Sequence, residues 1–193
     1  MFNANRRLIL LIIVFIGVVV IGTIRATEEI KAKYRETYIS QIYTVFSNNL
    51  QTTSEMLGRM SCYISDDGSI YNRNCLTFYK TYIQHLPINK YCIHSKQGNT
   101  NCTPNYVVDP KADCSKLYNN IVYEYSDAIK LKNNNIMIIA AKDKKRLPIF
   151  AVDINGNNPP NKAGDDLILV ILRKNDTGTY YIDMNTSFCK SIN

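Results

Sequence analysis

The sequence contains no tryptophan, two histidines, and no proline before Pro87. Glycine is also missing from residues 23–57. Because proline and glycine are the residues that most often interrupt a helix, nothing in that stretch forces a helix to end. The first third of the chain can therefore form one long helix.

Motifs for catalysis and metal binding are missing too. The sequence has no C-x-x-C pair, no H-E-x-x-H, no G-x-S-x-G and no phosphate-binding loop. A hydrolytic site would need a nucleophile with a positioned base, and only His85 and His94 could supply an imidazole. We therefore expect a protein that is not an enzyme and that does not bind zinc.

Basic residues give the chain a formal net charge of +7, but they are scattered. The densest run, KDKKR at residues 142–146, lies between two strand-like segments and is interpreted as a solvated turn. Nucleic-acid binding normally requires a clustered basic surface. We therefore expect no nucleic-acid partner.

An uncharged apolar run covers residues 8–24. At 1.5 Å per residue it would span roughly 25 Å, close to the thickness of a bilayer core. Apolar residues then recur at steps that place most of them on one helix face: Ile30, Tyr34, Tyr38, Ile42, Val45, Phe46, Leu50, Met56, Leu57 and Met60. This pattern predicts one helix of about 50 residues, first apolar all round and then amphipathic, ending near Gly58.

The apolar run is longer than the core of a usual signal peptide, which favours a retained anchor. We therefore predict a single-pass inner-membrane protein, in contact with membrane lipid, with an extracytoplasmic head. A signal peptide cleaved after Ala26 is the alternative, since Arg6 and Arg7 precede the run.

All six cysteines follow the apolar run: Cys62, Cys75, Cys92, Cys102, Cys114 and Cys189. An even number on one side of a membrane favours disulfides in an oxidising compartment. Many pairings are open. We predict Cys62 with Cys75, Cys92 with Cys102, and Cys114 with Cys189.

These features divide the chain into a tail and transmembrane part at residues 1–25, an amphipathic part at residues 26–60, and a disulfide-bearing head at residues 61–193. Within the head a short helix is expected at residues 76–86 and an irregular loop at residues 91–113. Residues 114–131 suit either a helix or a strand.

Four short apolar runs separated by turn residues predict an antiparallel meander: residues 136–141, 147–154, 167–173 and 179–184. The fold class is therefore α+β, with a long transmembrane-then-amphipathic helix packed on a small antiparallel β-sheet.

Between the second and third of these runs lies VDINGNNPPNKAGDDL. It resembles the pattern V-D-x-N-G-x-x-x-P-N-x-x-G-x-D of bacterial type IV pilin-like and type II secretion pseudopilin-like proteins. The matching residues are Asp153, Asn155, Gly156, Pro160, Asn161, Gly164 and Asp166. The resemblance implies a long N-terminal helix that carries a small sheet-containing head.

The resemblance further implies a structural subunit of a cell-surface filament or secretion apparatus, which packs against like subunits through its helix. The chain departs from the family at its beginning. No glycine precedes Phe2, and Arg6 stands where the family has a glutamate. The expected protein is therefore a diverged member without the prepilin peptidase motif. A single-span extracytoplasmic binding or sensing protein without a filament role is the alternative.

The same stretch contains several oxygen-bearing side chains. One interpretation is structural: aspartate and asparagine bind backbone N–H groups of consecutive turns. The other is a calcium site, because calcium prefers carboxylate and amide oxygens. Its candidate ligands are Asp153, Asn155, Asp165 and Asp166, although the spacing is not that of an EF-hand.

Overall fold

The computed structural model describes residues 2–95, 102–111, 113–123, 126–140, 147–184 and Cys189. Within these ranges the side chains of residues 2–19, 21, 93–95, 123, 126 and 140 are not described. The chain forms two compact units, Met1–Gln41 and Ile42–Asn193.

The described elements are three α-helices and eight β-strands. The helices are α1 (Phe2–Leu57), α2 (Cys75–Gln84) and α3 (Ser115–Tyr123). The strands are β1 (Cys62–Ser65), β2 (Ile70–Asn72), β3 (Ile88–Ser95), β4 (Ser126–Leu131), β5 (Ile136–Ala140), β6 (Ile149–Asp153), β7 (Leu167–Lys174) and β8 (Tyr180–Asp183).

Helix α1 is 56 residues long and ends at Leu57. Gly58 follows with a φ angle of +64°, a left-handed conformation that glycine adopts more readily than other residues. The amide of Gly58 still donates a hydrogen bond to the carbonyl of Ser54. The predicted end of the long helix is confirmed.

The eight strands form one mixed sheet in the order β2-β1-β7-β6-β5-β4-β3, and β8 also pairs with β7. Strand β7 therefore pairs with three strands: β6 and β8 run antiparallel to it, and β1 runs parallel to it. Its first six residues are all buried. A continuous apolar run of this kind suits a strand covered on both faces.

Both faces of the sheet are covered within the second unit. On one face, Phe150 of β6 packs against Phe46 of α1 and against Tyr79 and Tyr82 of α2. On the other face, the neighbouring Ala151 belongs to a buried cluster with residues of α3. Because successive side chains of a strand point to opposite faces, β6 is buried along its whole length.

The predicted fold class is wrong in the size and type of the sheet. The antiparallel meander β5-β6-β7-β8 has the expected connections, but it is half of an eight-stranded mixed sheet. No strand is predicted from the sequence for β1 or β2, and β3 overlaps the loop expected at residues 91–113. Pairing with neighbouring strands stabilises these segments although their local strand pattern is weak.

The membrane prediction is also corrected. Across the residues that the structure describes, no helix combines the length and the apolar character needed to span a bilayer. The predictions of a transmembrane part in the long helix and of a single-pass inner-membrane location are therefore wrong. Most side chains of the apolar run at residues 8–24 lie outside the described ones.

Several local predictions can be compared directly. The helix expected at residues 76–86 is confirmed as α2. The ambiguous residues 114–131 contain both alternatives, α3 followed by β4. The loop expected at residues 91–113 is wrong at its beginning, which belongs to β3. The basic run at residues 142–146 lies outside the described residues.

All three predicted disulfides are confirmed. They join Cys62 with Cys75, Cys92 with Cys102, and Cys114 with Cys189. The first ties the start of β1 to the start of α2, and the last ties Cys189 to the residue that precedes α3. The disulfides favour an oxidising, extracytoplasmic environment.

Candidate functional site

The motif loop, defined as residues 153–166, connects two central strands. It leaves β6 at Asp153 and enters β7 at Leu167, and these two residues are themselves paired across the strands. The seven residues that carry the pilin-like pattern all lie in this loop. The structure therefore brings the predicted site residues to one end of the sheet.

Asp153 anchors the beginning of the loop. Its side chain is fully buried. One carboxylate oxygen accepts hydrogen bonds from the amides of Asn155 at 3.0 Å and Gly156 at 2.8 Å. The other accepts a hydrogen bond from the hydroxyl of Tyr106 at 2.7 Å. These contacts hold the first turn of the loop against the segment that contains Tyr106.

Asp166 anchors the end of the loop in the same way. Its two carboxylate oxygens accept hydrogen bonds from the amides of Asn161 at 2.6 Å and Lys162 at 2.5 Å. Its backbone carbonyl accepts a hydrogen bond from the amide of Ile154 at 2.9 Å, next to Asp153. The two buried aspartates thus close both ends of one loop.

Asp165 lies at the surface and is not buried with Asp153 and Asp166. Its carboxylate lies 3.2 Å from the ammonium group of Lys162, and both side chains are about half exposed. An exposed pair of this kind contributes little to stability. Of the four predicted calcium ligands, the structure therefore buries two and leaves this one at the surface.

The backbone of the loop explains why glycine and asparagine stand at the motif positions. Gly156, Asn161 and Gly164 have φ angles of +66°, +49° and +85°. A Cβ atom on Gly156 would lie 2.5 Å from the carbonyl oxygen of Asn134. Pro160 follows a cis peptide bond with Pro159. These positions therefore have residue types that tolerate the observed conformations.

Contacts from distant segments complete the loop, and no local pattern in the sequence indicates them. Val107 accepts a hydrogen bond from the amide of Ala163 and donates one to the carbonyl of Asn161. The preceding Tyr106 is buried in the core. The only local indication that this segment contacts the motif loop is a pair of apolar residues in a stretch rich in asparagine and proline. Such a pair does not reveal a partner more than fifty residues away in the sequence.

Burial governs the electrostatics of Asp153. Removal from water disfavours its charged form and raises the pKa of its carboxyl group to about 7, although hydrogen bonds from Tyr106 and the two amides favour the charged form. The nearby carboxylate of Asp166 acts in the same direction as burial. The pKa of the Tyr106 hydroxyl is raised above its ordinary range, first by burial and then by the carboxylate of Asp153.

The arrangement does not fit a calcium site well. Calcium takes six to eight oxygen ligands, whereas all four carboxylate oxygens of Asp153 and Asp166 already accept hydrogen bonds from the chain. Among the described residues no group of three or more acidic, histidine or cysteine side chains is placed to hold a metal ion. The side-chain oxygen of Asn155 is buried without a hydrogen-bond partner among the described residues. The contacts support the structural interpretation of the loop, and calcium binding stays a prediction.

Compared with protein-family models, curated proteins and solved structures, the chain matches none.

Proposed function

We propose that this chain is a non-enzymatic, pilin-like structural subunit whose helix α1 packs against the helices of like subunits. The main support for the proposal is a series of apolar side chains on α1. They are exposed in the first unit and buried from Ile42 onward in the second unit. The resemblance of the motif loop to pilin-like proteins agrees with this function.

The exposed stripe consists of Ile30, Tyr34 and Tyr38, which follow one another at intervals of four residues. Tyr34 is 65% exposed and Tyr38 is 47% exposed. The next residue of the same series, Ile42, is 4% exposed. Large apolar side chains that line one helix face without cover are typical of an interaction surface. A second helix with the same stripe would cover them.

The charges on this part of α1 permit such pairing. Residues 25–36 carry four basic and three acidic side chains, in the order Arg25, Glu28, Glu29, Lys31, Lys33, Arg35 and Glu36. Two copies of a nearly neutral segment do not repel each other strongly, and opposite charges on neighbouring helices can pair. The occupant that fits this face best is therefore a like helix.

The head is suited to a structural role. Three disulfides and a two-sided core stabilise it, and the motif loop is held by buried carboxylates. In this proposal the loop is a support of the head and does not perform chemistry. The disulfides agree with assembly outside the cytoplasm.

Sedimentation velocity of the full-length protein tests the proposal. A Tyr34→Lys/Tyr38→Lys variant places charge on the exposed stripe and should shift the protein from oligomers to a smaller species. Ala32→Lys is the matched control, because it adds a charge to an exposed position on another side of α1. Equal sedimentation of the parent and the double variant would count against assembly through this stripe.

A binding protein without an assembly role is the second candidate, and a cleft in the head favours it. The cleft has a volume of about 260 Å³ and is mostly apolar, with Ile64, Leu117 and Ile149 in its wall. Such clefts often bind small apolar molecules. This candidate predicts a monomer whose sedimentation does not respond to either lysine variant.

A further inference from the structure

A second cleft, distinct from the motif loop, lies between α1 and the turn that joins β7 to β8. We name it the α1–β8 groove. It is lined on one side by Tyr43, Ser47, Asn48 and Gln51 and on the other by Thr179 and Tyr180, and its volume is about 550 Å³. This volume is within the range of small-molecule sites. All of these residues belong to the second unit.

The chemistry of the α1–β8 groove is neutral. None of the described side chains that line it is charged. They supply hydroxyl and carboxamide groups, and each such group has both donor and acceptor capacity. The lining side chains offer no charge to a charged ligand, and the ammonium group of Lys174 lies against the ring of Tyr180, 5.2 Å from its centroid. A ligand with many hydroxyl groups would find complementary hydrogen-bonding groups in the lining.

Aromatic rings complete the surface. Tyr43 is 46% exposed, so much of its side chain is open to solvent at the groove. A tyrosine ring offers an apolar face together with a polar hydroxyl. A sugar ring has the matching combination, with C–H groups on its faces and hydroxyls at its edge. A peptide ligand would instead need apolar pockets, and the one aliphatic residue in the lining, Leu50, is itself buried.

The walls of the groove are held in place before any ligand arrives. The hydroxyl of Tyr180 donates a hydrogen bond to the carbonyl of Met60 at 3.1 Å. The amide of Thr179 donates one to the side chain of Asn175 at 2.8 Å, and this bond fixes the turn between β7 and β8. Preorganised walls reduce the entropy lost on binding.

From these observations we infer that the α1–β8 groove is a binding site for neutral carbohydrate, with Tyr43 stacking on a sugar ring and the hydroxyl and carboxamide groups binding its hydroxyls. The inference is independent of the proposed assembly role, because it uses residues of the second unit and leaves the exposed stripe untouched.

Saturation-transfer NMR of the full-length protein tests this inference. The probes are neutral oligosaccharides of hexose and of N-acetylhexosamine, each at millimolar concentration, together with a sialylated oligosaccharide and a neutral polar peptide. We expect signal transfer to at least one neutral oligosaccharide and weaker transfer to the sialylated one. Tyr43→Ala should weaken that binding about tenfold, a loss consistent with removal of one aromatic stacking contact.

Tyr71→Ala is the matched control, because Tyr71 has a similar exposure of 45%, lies outside the exposed stripe and does not line the groove. It should bind like the parent. Far-ultraviolet circular dichroism checks that both variants fold, and Gln51→Ala provides a second groove variant. The inference is overturned if no neutral oligosaccharide binds, if Tyr43→Ala and Gln51→Ala both retain full binding, or if only the peptide binds.

Discussion

The hydroxyl of Tyr106 donates a hydrogen bond of 2.7 Å to the buried carboxylate of Asp153, although 47 positions separate the two residues in the chain. This contact joins the motif loop to a segment that precedes α3. Neither side chain is accessible enough to act on a substrate, since both are buried. The pair therefore explains the stability of the loop, and it leads to a prediction about pH.

Asp153 should make the protein less stable as the pH rises from about 4 to 7. Burial raises the pKa of Asp153 to about 7 from its ordinary value of 3.8. Between these values the unfolded chain has released this proton and the folded chain retains it, so the free energy of unfolding falls with increasing pH. At about 1.4 kcal/mol per pKa unit the decrease is at most roughly 4 kcal/mol.

Urea unfolding of the parent and of Asp153→Asn at pH 4.5 and pH 7 measures this effect. Asparagine keeps an oxygen for the amides of Asn155 and Gly156 but does not titrate. The stability of the variant relative to the parent should therefore be higher at pH 7 than at pH 4.5. A constant difference between the two proteins would contradict the assigned shift.

Gly156→Ala should destabilise the head by about 3 kcal/mol. The positive φ angle alone is unfavourable for alanine by about 1 kcal/mol, and the new Cβ would also lie 2.5 Å from the carbonyl oxygen of Asn134. Gly68→Ala is the matched control, with a φ angle of +87° and nothing within 4 Å of the added Cβ. Thermal unfolding should show the larger loss for Gly156→Ala. Equal losses would mean that the contact with Asn134 is unimportant.

The disulfide between Cys114 and Cys189 should stabilise the protein more than the one between Cys92 and Cys102. The first closes a separation of 75 residues and the second a separation of 10. Chain-entropy estimates give the longer loop an advantage of about 2 kcal/mol. Urea unfolding of the two double-serine variants measures the difference. A larger loss for the shorter loop would indicate that the long loop is restrained in another way when unfolded.

Calcium should not change the melting temperature of the protein. The carboxylates of Asp153 and Asp166 are occupied by hydrogen bonds from the chain, and displacing these bonds would oppose metal binding. Differential scanning fluorimetry with and without millimolar calcium provides the measurement. An increase of several degrees that Asp166→Asn abolishes would instead support the calcium interpretation of the loop.

The elements that could be predicted from sequence are those with a local signal. Helix α1 is predicted by apolar residues that recur at helical spacing in a stretch where no residue forces the helix to end. Strands β5 to β8 are predicted by short apolar runs separated by turn residues. The three predicted disulfide pairs are confirmed, although the sequence leaves other pairings open. In the motif loop, Gly156, Asn161 and Gly164 are identified by the pilin-like pattern, and their positive φ angles explain the residue types at those positions.

The missed features depend on contacts between distant residues. Strand β1 pairs in parallel with β7 more than a hundred residues later, and its four residues, CYIS, carry no pattern that reveals this partner. Tyr106 gives no local sign that it binds Asp153. The raised pKa of Asp153 likewise depends on burial, which follows from the assembled sheet. For the same reason, sequence spacing placed Asp165 beside the buried aspartates, whereas the structure turns it toward Lys162.

Site-specific crosslinking along α1 is the most direct measurement of the proposed assembly. A single free cysteine introduced by Tyr38→Cys lies on the exposed stripe, and one introduced by Glu36→Cys lies two residues away, on nearly the opposite side of the helix. A short bismaleimide reacts with these thiols and leaves the three native disulfides intact. In intact cells that make the protein, Tyr38→Cys should give covalent dimers and Glu36→Cys should give few or none. Equal dimer yields at the two positions, or none at either, would contradict assembly through the exposed stripe.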